Sequence, residues 1–224
     1  MRAKEIYDGL VEILGNQCND EVWISSIKKD YNLNDNEWTP DCFFLITTSW
    51  GPWVISRQMD VWSRMKHTFP GVKDDIRNAD ENFNGFPFGW QNNRVIAISK
   101  YLKQTSKSFR DIIEQFKSLN AVESRDCLAE ISGATQNKKT ISCFIRDFLL
   151  KNTFPIDTRV SEMLSCLGLP SDEDQIIKLC EMDNVNSRIL DRMLYTQWDN
   201  CPSQVNNVCK KCKIKDYCWE YILE

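Results

Sequence analysis

Cys201-PSQVNNV-Cys209-KK-Cys212-KIKDY-Cys218 places four cysteines within eighteen residues at a spacing of C-x7-C-x2-C-x5-C. The segment has no histidine and almost no apolar run from which a core could be made. Its thiolates are therefore there to hold something. Cysteine thiolates are soft ligands that select zinc or an iron-sulfur cluster. An all-cysteine zinc site usually shows two C-x2-C pairs across a longer loop, and here only Cys209 and Cys212 make such a pair. One pair flanked by two outliers suits a 4Fe-4S cluster, with a zinc site or unliganded thiols as the alternatives.

The remaining six of ten cysteines (Cys18, Cys42, Cys127, Cys143, Cys166 and Cys180) are scattered through helix-like apolar patterns. They read as buried thiols of a reducing compartment. With 224 residues, 42% of them hydrophobic, the chain can bury one large or two small cores. It shows no signal-peptide pattern at Met1 and no apolar run of membrane-spanning length, so an intracellular, cytoplasmic protein is expected, nucleoid-associated if prokaryotic. A net charge of −4 argues against coating nucleic acid by bulk charge, so any such contact must be local. The single histidine, His67, reads as a surface residue near a helix end and leaves a Ser-His-Asp or Cys-His enzyme without a recognisable arrangement.

Only eight glycines and seven prolines punctuate the chain, and apolar residues recur at steps of three and four. The chain reads as all-α. Ile6, Leu10 and Leu14 mark one face of a first helix that stops at Gly15, and a polar stretch rich in Asn and Asp follows. Thr39-Pro40 then opens an apolar helix carrying Phe43, Phe44, Leu45 and Ile46, and another carries Val54, Val61, Trp62 and Met65. After a turn-rich region from Phe69 to Trp90, helices are expected from about Asn92, from Ser108 with Asp111 as a capping box, over Arg125 to Ile131, over Lys139 to Leu150 and over Thr158 to Leu167. Ser171 with Asp174 caps the next, and a last helix carries Ile189, Leu190, Met193, Leu194 and Trp198 into the cysteine loop.

Three stretches stand in an order that resembles the endonuclease III family of helix-hairpin-helix DNA glycosylases. They are the cysteine loop, Phe154-Pro-Ile-Asp157-Thr-Arg-Val160, similar to that family's V-D-T-H-V segment, and Ile131-Ser-Gly133-Ala-Thr135-Gln-Asn137-Lys138-Lys139-Thr140, similar to its L-P-G-V-G-x-K-T hairpin. Lys139 precedes Asp157 by 18 positions, the family's separation. Phe88-Gly-Trp90-Gln91-Asn-Asn-Arg94 resembles the I-G-L-Y-N-x-K turn, and Leu45 to Trp50 falls where the family has L-L-S-A-Q. The hairpin is two residues longer than the family's and lacks its second glycine, and Arg159 stands where the family usually has histidine.

The resemblance implies a two-lobed fold: a six-helix barrel over residues 39–140 ending in the hairpin, and a lobe that joins residues 1–38 to residues 141–224 and the cluster. It implies a monomeric DNA glycosylase with AP lyase activity, acting on double-stranded DNA that contains a damaged or modified base or an abasic site. Lys139 is the nucleophile, Lys138 its neighbouring alternative, and Asp157 the electrostatic partner. Cys201, Cys209, Cys212 and Cys218 hold the cluster. Trp50, Trp90 and Gln91 are candidates to fill the gap left by a flipped base, and Gly133, Thr135, Asn137, Lys138, Arg94, Arg159, Lys210 and Lys211 are candidates to contact the strand. A monofunctional glycosylase using Asp157-assisted water and a non-catalytic DNA binder of the same fold are the alternatives.

Overall fold

The computed structural model describes residues 2–30, 63–71, 75–136, 138–201 and 214–218. Among these residues every regular element is helical and no strand occurs. The helices are α1 (Arg2–Leu14), α2 (Asp20–Asp30), α3 (Gly89–Thr105), α4 (Phe109–Lys117), α5 (Ala121–Ser132), α6 (Lys139–Asp147), α7 (Thr158–Cys166), α8 (Glu173–Met182) and α9 (Ser187–Trp198). A helical stretch at 63–68 and 3-10 turns at Asp75–Asn78 and Lys215–Tyr217 complete them. The helix expected from Thr39, most of the one carrying Val54, and Cys42, Trp50, Asn137, Cys209, Lys210, Lys211 and Cys212 lie outside the described residues. None of the described helices is long and apolar enough to cross a membrane.

The chain falls into two compact units, residues 1–24 with 150–224 and residues 25–149. In the first, Ile6, Leu10 and Leu14 follow at steps of four, so they share one stripe of α1. All three are buried in one core with Phe154, Leu164, Ile176, Leu190 and Leu194. Gly15, at φ +57°, ends the helix, its N–H donating to the Val11 carbonyl at 2.8 Å. α9 packs on α7, α1 and α8. Asp157 caps α7, and α8 is capped by Asp172, whose side chain accepts the Gln175 N–H at 3.0 Å. That is one residue beyond the expected Ser171, because Ser171 and Asp172 both head a three-residue spacing to a polar side chain and only the fold selects the register.

Part of the polar stretch after Gly15 also forms a helix, α2, which apolar periodicity does not reveal. Its ends stabilise it instead: the Asn19 side chain accepts the Val22 N–H at 2.9 Å, Asp20 and Glu21 sit in the first turn and Lys28 and Lys29 in the last, each sign suited to its end of the helix dipole. The boundary between the units falls within this helix.

In the second unit, Met65, Phe69, Ile76, Val95, Ile98, Ile112, Leu128, Ile141 and Phe144 share a core. α3 packs on the Asp75–Asn78 turn and on α5, and α5 packs on α6. The Ser108–Asp111 capping box is present at the start of α4. A second box, Asn120 with Glu123, starts α5 four residues ahead of the expected Arg125. His67 is exposed near the end of the 63–68 helix.

Gly133 closes α5 in the left-handed region (φ +66°), where its N–H meets the Glu130 carbonyl at 3.1 Å and the next N–H, of Ala134, meets the Ala129 carbonyl at 2.8 Å. A Cβ there would meet the Ala97 Cβ at 3.5 Å, an ordinary contact. The cost of Gly133→Ala is therefore the backbone strain alone, expected as a loss of about 1–2 kcal/mol in denaturant unfolding. An unchanged midpoint would show that the turn is not held in this conformation.

Among the described cysteines, Cys18 and Cys180 are buried as expected and none forms a disulfide. Burial pushes the Cys180 thiol up to about 12, the nearby Asp183 and Glu181 adding to the effect, so it stays protonated and inert. Cys127, Cys143 and Cys166 are only half-buried, since each falls at the edge of its helix's apolar stripe.

Candidate functional site

The hairpin of the second unit consists of α5, the Gly133 turn and α6. Ala134 is buried and anchors the turn, while Thr135 and Gln136 are exposed at its tip. Lys139 is the first residue of α6 and is half-buried; Thr140, next to it, is buried. The N-terminus of α6 has no side-chain cap and no acidic residue in its first turn, so the positive end of its dipole is not offset by an acidic residue there.

The two adjacent lysines differ in their surroundings. Lys138 Nζ lies 3.0 Å from Asp126 Oδ1 on α5, and Arg125 Nε reaches the same oxygen at 2.8 Å. Burial raises the Asp126 carboxyl, but the hydrogen bonds from Arg125 and Lys138 outweigh it and leave the group below the usual carboxylate value. Asp126 thus holds the Lys138 side chain against α5. Twelve positions separate the pair, so the contact has no signature in local spacing.

Arg94, on α3, reaches this end of α6: its Nη1 lies 3.5 Å from Thr140 Oγ1. Its guanidinium also sits 4.9 Å from the centroid of the Trp90 ring, one helical turn back. Burial pushes the Arg94 guanidinium below its ordinary value, although arginine keeps its charge. Trp90 is 40% exposed, and Phe88 beside it is 54% exposed. Gln91 and Asn92 point elsewhere. Gln91 is 2% exposed, which does not suit insertion into a base stack, and its Oε1 has no hydrogen-bond partner. Because α3 starts at Gly89 and not at Asn92, Gln91 falls on its buried side. Asn92 accepts the Phe86 N–H at 2.9 Å and donates to the Phe86 carbonyl at 3.0 Å and to Asn84 Oδ1 at 3.1 Å, fixing the turn that leads into Phe88.

In the first unit, the Asp157 side chain accepts the Val160 N–H at 2.8 Å and is half-buried. The segment before it is tied down: Phe154 is fully buried, and its N–H donates to Glu173 Oε1 at 3.0 Å. Arg159, the second residue of α7, lies 4.7 Å from the Trp198 ring centroid and 5.1 Å from that of Tyr195, and donates to Asp199 Oδ1 at 3.2 Å. Trp198 Nε1 donates in turn to Glu162 Oε2 at 2.6 Å. The expected strand contact at Arg159 is thus engaged within the chain, bracing the end of α9 from which Cys201 follows.

Cys201 and Cys218 are half-buried, and neither is in a disulfide. Cys201, Ile214 and Tyr217 all pack on the core of the first unit, and Arg2 Nη2 reaches the Tyr217 carbonyl at 3.4 Å. The two outer cysteines are therefore anchored in the same unit, and a donor set of soft thiolates fits an iron-sulfur or zinc group. Among the described residues no three His, Cys, Asp or Glu side chains converge, two of the four loop cysteines lying outside them.

The sequence reading did not single out Phe88, Asp126, Glu162 or Asp199. Only Phe88 had a local signal, an aromatic residue two positions before Trp90 at a helix start. Comparison with protein-family models, characterised proteins and solved structures finds no match to this chain.

Proposed function

We propose that the protein is a DNA glycosylase with AP lyase activity, of the helix-hairpin-helix type that its sequence resembles. The observation that carries this reading is the hairpin itself: α5, a left-handed glycine and α6, with Lys139 at the first position of α6 and Lys138 held aside by Asp126. The N-terminus of α6, with Lys138, Arg94 and Thr140 around it, suits a DNA phosphate.

In the proposed reaction an extruded nucleotide offers its C1′ to Lys139. The Nζ lone pair attacks C1′ while the N-glycosidic bond breaks and the base leaves with the bonding pair. Loss of a proton from nitrogen opens the sugar to a Schiff base, and removal of a C2′ proton then expels the 3′ phosphate by β-elimination. Asp157 stabilises positive charge on the sugar as the base departs. The same carboxylate caps α7, accepting the Val160 N–H at 2.8 Å.

Cys201, Cys209, Cys212 and Cys218 would hold a 4Fe-4S cluster. Bound there, the group would supply a structural tie for the cysteine loop and add charge near Lys210 and Lys211. Visible absorption from a ferric-sulfide chromophore would distinguish it from closed-shell zinc.

The activity is tested on a duplex carrying one abasic site and on a panel of duplexes with single modified bases. Cleavage leaving the 3′ unsaturated aldehyde of β-elimination is the expected result. Base release without cleavage would assign the water-attack mechanism to Asp157, and binding without either would leave a non-catalytic DNA-binding protein.

A further inference from the structure

We propose that Trp198 is a positioning residue that makes the seating of Asp157 depend on whether the cysteine loop is filled. This deepens the proposed function, resting on it for what Asp157 does to a substrate and on the soft thiolate donors for what fills the loop. Asp157 is the N-cap of α7, its side chain accepting the Val160 N–H at 2.8 Å and its carbonyl the Ser161 N–H at 2.7 Å. Val160 is buried in the core of the first unit, and Ile156 packs against that core just ahead of the cap.

Arg159 and Glu162, three positions apart on α7, share one face of that helix and grip one side chain of α9. The Arg159 guanidinium lies 4.7 Å from the Trp198 ring centroid, and Trp198 Nε1 donates to Glu162 Oε2 at 2.6 Å. One contact fixes the face of the indole and the other its N–H edge. Tyr195 and Asp199, on either side of Trp198 in the chain, hold the same guanidinium at 5.1 Å and 3.2 Å. Trp198 thus ties the end of α9 to the turn of α7 that Asp157 caps.

Trp198 is also the last residue of α9, and helix ends open before helix interiors. Its carbonyl accepts the Cys201 N–H at 3.1 Å, and the Gln197 carbonyl accepts the Asn200 N–H at 2.9 Å. The chain therefore enters the cysteine loop through a hydrogen bond on the residue that grips α7. Cys201 and Tyr217 pack on the same core, and the N–H of Cys218 donates to the Lys215 carbonyl at 3.0 Å. A group bridging Cys201 and Cys218 holds this end of α9 closed, and its removal lets the last turn fray more readily. Fraying draws the Trp198 ring off Arg159 and Glu162, and the first turn of α7 loosens with it. A link made of one ring contact and one hydrogen bond has about the strength of a helix cap.

The test is amide hydrogen exchange on the full chain, loaded with iron and sulfide in one arm and with Zn²⁺ in another, then stripped with a chelator. Loading is read from metal content. The Val160 N–H reports the Asp157 cap, and the Gln175 N–H, which Asp172 caps in the same way on α8, is the control. Stripping the parent is expected to speed exchange at Val160 about fivefold and to leave Gln175 unchanged. Trp198→Ala is expected to exchange at Val160 as fast when filled as the stripped parent does, with no further gain on stripping. Trp198→Phe, which keeps a ring for Arg159, should fall between the two, and Arg159→Gln should lose most of the response. Equal exchange at Val160 in filled and stripped parent, an equal acceleration at Gln175, an undiminished response in Trp198→Ala or in Arg159→Gln, or a chain that takes up neither iron nor zinc would overturn the coupling. Base release is read separately. The exchange response without base release removes only the enzyme, and base release without the response removes only the coupling.

Discussion

Asp157→Asn is expected to slow base excision by roughly 10²–10³-fold while leaving thermal stability almost unchanged. Asn and Asp are comparable N-caps, so the amide oxygen can take the Val160 N–H that Asp157 Oδ1 accepts at 2.8 Å. What the substitution removes is the negative charge proposed to stabilise the sugar as the base leaves. Asp157→Ala removes both functions and is expected to show the same rate loss with about 1 kcal/mol less stability. Single-turnover base release and denaturant unfolding on the two variants separate the roles. If Asp157→Asn excises as fast as the parent, Asp157 is a helix cap and nothing more.

Asp20→Ala is expected to cost roughly 2–3 kcal/mol. Among the described residues Arg192 is the largest fully buried side chain, at 0% exposure. Its Nη1 pairs with Asp20 Oδ1 at 2.7 Å and reaches the Cys18 carbonyl at 3.4 Å, and its guanidinium lies 5.3 Å from the Trp23 ring centroid. Asp20 also takes Arg188 Nη2 at 2.8 Å. Removing the carboxylate takes one counter-charge from a buried cation, although partial exposure of Asp20 keeps the loss below that of a wholly buried pair. Arg192→Met, which removes the buried charge and keeps much of the volume, is expected to lose less. The opposite order in denaturant midpoints would show that the pair is screened by solvent. Because α9 carries Arg192 and leads to Cys201, Asp20→Ala should also loosen retention of any group held by the cysteine loop.

The all-helical architecture was legible because the local rules agree with the fold at many positions. Ile6, Leu10 and Leu14 repeat at four residues and are buried, and Ser108 with Asp111 makes the capping box that its spacing promises. Local rules fail where ends or distant partners decide. α2 is stabilised by its termini and has no strong apolar stripe to read. Two adjacent candidates compete to cap α8, and Gln91 turns inward because α3 starts at Gly89.

The same division holds at the candidate site. The placement of Lys139 at a helix start and of Asp157 as an N-cap follows from neighbouring residues. The pairing of Lys138 with Asp126, of Arg94 with Thr140 and of Arg159 with Trp198 joins residues 12, 46 and 39 positions apart, which no pattern in the chain announces. The Asp126 contact distinguishes the surroundings of Lys138 from those of its neighbour, a difference that spacing alone does not show.

The measurement that bears most directly on the proposed function is borohydride trapping on duplex DNA with one abasic site, comparing the parent with Lys139→Gln and Lys138→Gln. Schiff-base chemistry at Lys139 predicts a covalent adduct in the parent and in Lys138→Gln, and a loss of roughly 10³-fold or more in Lys139→Gln. An adduct of parental yield in Lys139→Gln, or none from a parent that binds the duplex, would contradict it.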